Sequence, residues 1–174
     1  VVDAFIEVRR RGRVPQVKLR IGGGCGPGDE AFVAGQKDKL SAAGLSAEAT
    51  FHPNLSREDK VAFYAGCDLL SVPARTSESF GLYVIESLAA GTPLVQPDTI
   101  TYPELLAATG GGVISGPDTA VALADAWEPL LLDPARLRSL GDAGRTAVHA
   151  RYNDDAMALG IARVTEALIS KKSP

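Results

Sequence analysis

At 174 residues the chain is long enough for one domain with a full core, and 45% hydrophobic against 22% charged residues is an ordinary globular balance. A net charge of −3 gives no overall pull toward nucleic acid or an anionic membrane surface, and no uninterrupted apolar run reaches the roughly 18 residues of a spanning helix. Cys25 and Cys67 lack metal-ligand spacing, so free thiols in a reducing compartment are expected: cytoplasmic, with peripheral contact at the inner face of a membrane left open.

Taken in order, Val1 to Arg10 carries Val1, Val2, Phe5, Ile6 and Val8 at mostly helical spacing and runs into Gly12, a helix stop. Arg9, Arg10, Arg11 and Arg13 read as a solvated helix end whose cations suit the dipole; an anionic-surface patch is the alternative. Val17 to Ile21 is a short strand. The glycine run from Gly22 to Gly28 follows at its carboxyl end, where open parallel sheets bind ligands. It is not the G-x-G-x-x-G dinucleotide fingerprint.

Asp29 to Ala43 suits a helix with Phe32, Val33 and Leu40 buried, and Gly44 stops it. Ala49 to His52 is a strand. Ser56 caps the next helix, with Glu58 and Asp59 in its first turn and Val61, Phe63, Tyr64 and Ala65 turned inward. Asp68 to Val72 reads as a buried strand, followed by a polar loop, a helix ending at Gly91 and a strand over Thr92 to Gln96. A brief helix over Pro103 to Leu106 and a strand over Gly110 to Ile114 come next. Helices over Asp118 to Leu132, Pro134 to His149 and roughly Asp154 to Ser170 complete the chain. Trp127 belongs to the core or to packing against another domain, and His149, Asp154 and Asp155 to the surface or to caps. Strands alternating with helices, without a hairpin signal, point to a parallel sheet covered on both faces.

The stretch with most chemistry is ESFGLYVIESLAAGTPLVQPD, Glu78 to Asp98. Glu78 precedes the helix and Glu86 lies about two turns inside it, so both face one crevice. The amides of Phe80, Gly81 and Leu82 are the unpaired donors of a helix start, a seat for an anionic or strongly polar group. A carboxylate in the same crevice can accept two hydrogen bonds from a vicinal diol, as sugars and ribose offer. Amides for phosphate and carboxylates for hydroxyls suggest a nucleotide sugar.

This stretch, followed by Tyr102-Pro103-Glu104-Leu105, resembles the signature E-x-F-G-L-x-x-x-E-A-x-A-x-G-x-P-V-V of the large group-one family of retaining glycosyltransferases. Glu78, Phe80, Gly81, Leu82, Glu86, Ala89, Gly91 and Pro93 agree in register; Tyr83 and Ser87 depart mildly. The resemblance implies an α/β fold: a Rossmann-like, doubly wound parallel sheet with helices on both faces, one half of a GT-B two-domain enzyme. Residues 1–174 would be its C-terminal, nucleotide-sugar-binding domain, and the N-terminal domain that binds the hydroxyl acceptor would be absent. By the same resemblance Glu78 holds the transferred sugar and is the catalytic candidate. Ser79, Phe80, Gly81 and Leu82 would take donor sugar and phosphate, Glu86 the ribose hydroxyls, and Gly23, Gly24 and His52 the nucleotide. For His52 an unliganded loop histidine is the alternative, and for Gly23 and Gly24 a mere tight turn.

The expected partners are a nucleotide-sugar donor and a hydroxyl acceptor, with no nucleic acid, no cofactor and no metal. The family's second domain also opens with a strand and a G-R-x-x-x-x-K-G segment that this chain lacks. That strand would be central, between the Val17 and Asp68 strands, and without it two rows of buried backbone groups would lack partners at about 1–3 kcal/mol each. The chain is therefore expected to be incomplete at its start and inactive alone, and the Val17 and Asp68 strands not to pair directly. A non-catalytic nucleotide-sugar-binding module and a nucleotide-sugar epimerase remain as alternatives. A phosphorylase is disfavoured, because Lys37, Lys39, Lys60, Lys171 and Lys172 lie in polar helical or tail contexts unsuited to a buried Schiff base.

Overall fold

In the computed structural model of the protein, residues 1–74, 79–99, 101–117 and 119–170 are described. The order is α1 (Val2–Arg11), β1 (Leu19–Gly23), α2 (Glu30–Ala42), β2 (Ala49–Pro53), α3 (Arg57–Ala65), α4 (Leu82–Ala89), β3 (Leu94–Gln96), α5 (Tyr102–Thr109), β4 (Gly112–Ile114), α6 (Ala120–Leu131), α7 (Pro134–Arg151) and α8 (Asp154–Ser170). Three helices stop where the sequence predicts, at Gly12, Gly44 and Gly91, all with positive φ, which a β-carbon would disfavour; α5 runs past the predicted Leu106 to stop at Gly110, also at positive φ, where the sequence predicts that a strand begins. Ser56 caps α3 by accepting from the Asp59 amide at 3.0 Å.

Every strand pairing among the described residues is parallel. β1 pairs with β2 from Leu19 opposite Ala49 to Gly23 opposite Pro53, and β3 pairs with β4 from Leu94 opposite Gly112 to Gln96 opposite Ile114. The strand predicted over Asp68 to Val72 is reduced to one bridge between Leu70 and Leu94. Its continuation fails because the Val72 amide donates to the side-chain Oε1 of buried Gln96, at 2.8 Å, and not to a backbone carbonyl. The predicted single sheet is thus two parallel pairs, with the Leu70 segment on the edge of the second. β1 does not pair with the Leu70 segment.

β3 explains how helices cover both faces. Successive strand residues point to opposite sides, so Val95 enters one core with Val2, Phe5, Val8, Leu123 and Trp127, while Leu94 enters another with Val84, Leu88, Tyr102, Leu105 and Val148. The first core is closed by α1 against α6, the second by α4 and α5 against α7. Trp127 is core, as predicted.

The arginine run is solvated at Arg10 and Arg13, as predicted, while Arg11 is drawn into contacts with α6. Glu7 accepts from Arg10 and Arg11 at 2.8 Å, and Arg11 reaches across to Asp125 at 2.7 Å and Glu128 at 3.1 Å on α6. Some predicted core residues are on the surface instead: Phe32 is 67% and Val61 61% exposed. Ala65 is exposed as well, and Val33 only half-buried. α2 meets α1 chiefly at its C-terminal end, where Leu40 is buried and Lys39 pairs with Asp3 at 2.9 Å, so its first turns project into solvent.

Candidate functional site

The glycine loop after β1 is built around Asn54. With φ of 53°, Asn54 turns back so that its amide donates to the Gly23 carbonyl at 2.9 Å. Its side chain accepts from the Cys25 amide at 2.8 Å and donates to the Cys25 carbonyl at 2.9 Å. Gly22 is glycine for a packing reason: a β-carbon there would lie 3.0 Å from the Phe63 ring. Gly23 and Gly24 face open space. His52 stacks edge-on against the same Phe63 ring at 5.5 Å and shares a 3.0 Å hydrogen bond with Thr50 Oγ1.

One helix connects this loop to the glutamate. α3 places Phe63 under Gly22 and beside His52, and on the same element sets Lys60 and Tyr64, one turn apart, against Glu86 of α4. Lys60 Nζ donates to Glu86 Oε1 at 2.7 Å, and the Tyr64 hydroxyl donates to Oε2 at 3.0 Å. Burial, and then the charge it faces on Glu86, push the Tyr64 phenol well above its ordinary range. Glu86 keeps 37% of its side-chain surface and Lys60 39%, so the carboxylate is oriented but reachable. α4 starts at Leu82, which puts Glu86 just over one turn inside, roughly 6 Å along the axis, rather than the two turns expected.

At the start of α4, Gly81 adopts φ of 77° and its carbonyl accepts from the Val84 amide at 2.8 Å. The amides of Phe80, Gly81 and Leu82 bond to no other described backbone group, and Ser79, Phe80 and Leu82 are exposed. Thr101 Oγ1 donates to the Ser79 carbonyl at 3.4 Å, and the Tyr83 and Tyr102 hydroxyls meet, so α5 braces the turn. Glu78 lies outside the described residues. A hollow of about 340 Å³ opens at the carboxyl ends of β3 and β4, lined by Pro97, Asp98, Thr99, Ser115, Gly116 and Pro117.

The structure therefore joins Gly22, His52 and Glu86 through α3, and sets the α4 start on the same helix as Glu86. Lys60 and Tyr64 are the residues sequence reasoning passed over. Their signal was present: a cation and a hydroxyl four apart on one helix, flanking Phe63, share a face. None of the described helices is long and apolar enough to cross a membrane.

A family model for glycosyl transferases group 1 matches residues 1–147. The GDP-mannose-dependent alpha-(1-6)-phosphatidylinositol monomannoside mannosyltransferase of Mycobacterium tuberculosis is 29% identical over 168 residues, 93% of this chain and 42% of that protein. Among solved structures, the sucrose-phosphate synthase of Thermosynechococcus elongatus superposes with a TM-score of 0.81 at 28% identity, over 98% of this chain and 43% of that one. Anabaena HepE, solved in complex with UDP, superposes with a TM-score of 0.83 at 20% identity, over 96% and 44%. The chain spans less than half the length of each. The likeness establishes the Rossmann-like half of a GT-B architecture as the fold.

Proposed function

Because this chain belongs to the glycosyl transferases group 1 family, we propose that it forms the donor-binding domain of an enzyme moving a hexose from a nucleoside-diphosphate sugar to a hydroxyl acceptor, with retention. The observation that carries this is Glu86: a partly exposed carboxylate, held by Lys60 and Tyr64 and four residues past Leu82, the first residue of α4. In this reading Glu86 accepts from the ribose hydroxyls. The Phe80, Gly81 and Leu82 amides take the distal phosphate and offset the charge that grows on the leaving diphosphate, so no metal is called on. The Gly23–Gly24 turn and His52 border the nucleoside, and Glu78 contacts the transferred sugar. The UDP bound by HepE and the GDP-mannose named for the mycobacterial relative are the ligand class in point. The acceptor wall belongs to another domain, so the 174-residue chain alone binds donor without transferring it.

Calorimetric titration of nucleoside diphosphates and nucleotide sugars into the full-length protein tests this. One base should bind, and Glu86→Ala should weaken it by about 1–3 kcal/mol, roughly 5- to 150-fold in Kd. Unchanged affinity in that variant would remove Glu86 from the site.

A further inference from the structure

Behind the partly exposed Glu86 lie three buried polar residues, Tyr64, Ser87 and Thr92, bonded to one another and to it. We propose that these three form a closed hydrogen-bond circuit that positions the Glu86 carboxylate for a vicinal diol, and so set a preference for ribose over 2′-deoxyribose nucleotides. The inference rests on the ribose reading of Glu86 given above.

The circuit runs from one helix to the other and back. The Tyr64 hydroxyl donates to Glu86 Oε2 at 3.0 Å. The Tyr64 carbonyl, one of the last of α3 and so without a partner inside that helix, accepts from Thr92 Oγ1 at 2.7 Å. Thr92 is tied twice to Ser87: its amide donates to the Ser87 carbonyl at 3.0 Å, and its carbonyl accepts from Ser87 Oγ at 3.0 Å. Ser87 follows Glu86 in α4, which closes the ring. Burial removes the competition of water for these bonds. Burial, and then the charge of Glu86, also keep the Tyr64 phenol protonated, so it remains a donor. Ser87 is one of the two positions at which the chain departs from the group-one signature, so this link belongs to the chain and not to the motif.

A carboxylate offers about four lone pairs, two on each oxygen. Lys60 takes one on Oε1 and Tyr64 one on Oε2. One remains on each oxygen, the number that two adjacent hydroxyls require. Lys60 does not fix this geometry alone, because it is itself 39% exposed on a long flexible stem. Tyr64 does, since its main chain is anchored through Thr92 to the helix that carries Glu86. An acceptor already held in place binds without the ordering cost that a mobile one meets. Tyr64, Thr92 and Ser87 are thus positioning residues that act through Glu86.

Titration of UDP, GDP and ADP and their 2′-deoxy forms into the full-length protein tests this, read as the ratio of deoxy to ribo Kd for the base that binds. Loss of stability does not move such a ratio, because both ligands meet the same folded fraction. The wild type should favour ribose by at least about 10-fold, as a hydrogen bond to a charged group does. Tyr64→Phe should reduce the preference to about 3-fold or less. Thr92→Val should reduce it part of the way, and Thr92→Ser, which retains the hydroxyl, should keep the wild-type value. Thr92→Val still leaves the Tyr64 carbonyl bonded to the Cys67 amide at 2.9 Å, so no buried acceptor is orphaned. Tyr64→Phe combined with Thr92→Val should lower the preference no further than Tyr64→Phe alone, since Thr92 acts through Tyr64. A wild-type preference retained in Tyr64→Phe or in Thr92→Val, but lost in Glu86→Ala, overturns the circuit and leaves the ribose reading standing. No preference in the wild type, or one that survives Glu86→Ala, overturns both.

Discussion

Tyr64 is the residue on which α3 and the candidate site depend together. Its phenol is held protonated by burial and by the Glu86 carboxylate beside it. The folded protein thus keeps that proton above pH 10, the ordinary tyrosine value, where the unfolded chain releases it. The sign follows: the stabilisation is complete below about pH 10 and drains away as pH rises toward the higher folded value. Denaturant midpoints between about pH 9 and 11 should fall more steeply for the wild type than for Tyr64→Phe, and parallel curves would show that Tyr64 does not couple to folding. Glu7 works in the opposite direction. Hydrogen bonds from Arg10, then Arg11, lower its carboxyl from 4.5 to about 2. Its contribution is complete above about pH 4.5 and is lost as pH falls toward 2. Glu7→Gln should flatten the acid limb of a thermal-unfolding series in that window. Equal acid limbs would mean that the α1 arginines act without it.

Among the elements, α7 is the one whose position depends on small residues. A β-carbon at Gly144 would lie 2.5 Å from Leu88 Cδ2 and 2.9 Å from the Gly111 backbone, and one at Gly141 would collide with the Gly91 carbonyl. α4, β4 and α7 meet through these glycines. Gly144→Ala should destabilise by about 1–3 kcal/mol through overpacking, a fall in Tm of roughly 2–12 °C for a chain of this size; an unchanged Tm would mean that α7 can shift freely. This contact was invisible in the sequence, because glycine within a helix announces only poor propensity. Helix ends were legible, since Gly12, Ser56 and Gly91 act within one turn of themselves. Phe32 and Val61 misled, because helical spacing identifies a face but not whether another element arrives to cover it. The Asp68 to Val72 strand failed for a similar reason: pairing is a property of two segments, and here the partner of Val72 is a side chain. In the candidate site, Glu86 and the Gly81 turn were read from local spacing; the spacing of Lys60 and Tyr64 shows that they share a face, but only the meeting of α3 with α4 shows that this face holds Glu86.

Across the whole molecule, two cores share β3 as their common wall, and the halves are joined mainly by side-chain packing rather than by sheet hydrogen bonds. α6 is central to that arrangement, since it touches α1, α7 and β3. α8 stands apart: it has no buried residue, and Met157, Leu159, Ile161, Val164, Leu168 and Ile169 are exposed along it. A lone helix of that length is marginal in water.

The pairing of α1 with α6 also bears on how the protein is made. Arg11 and Asp125, which lock the two helices together, are separated by 114 positions. At a synthesis rate of about 5–20 residues per second, α1 leaves the ribosome roughly 6–23 seconds before its partner. For that interval Val2, Phe5 and Val8 have no α6 to cover them. Nascent chains stalled before Ala120 should accordingly be captured by hydrophobic-binding chaperones, and chains stalled well past Leu131 released from them. Equal capture of both would mean that α1 finds shelter without α6.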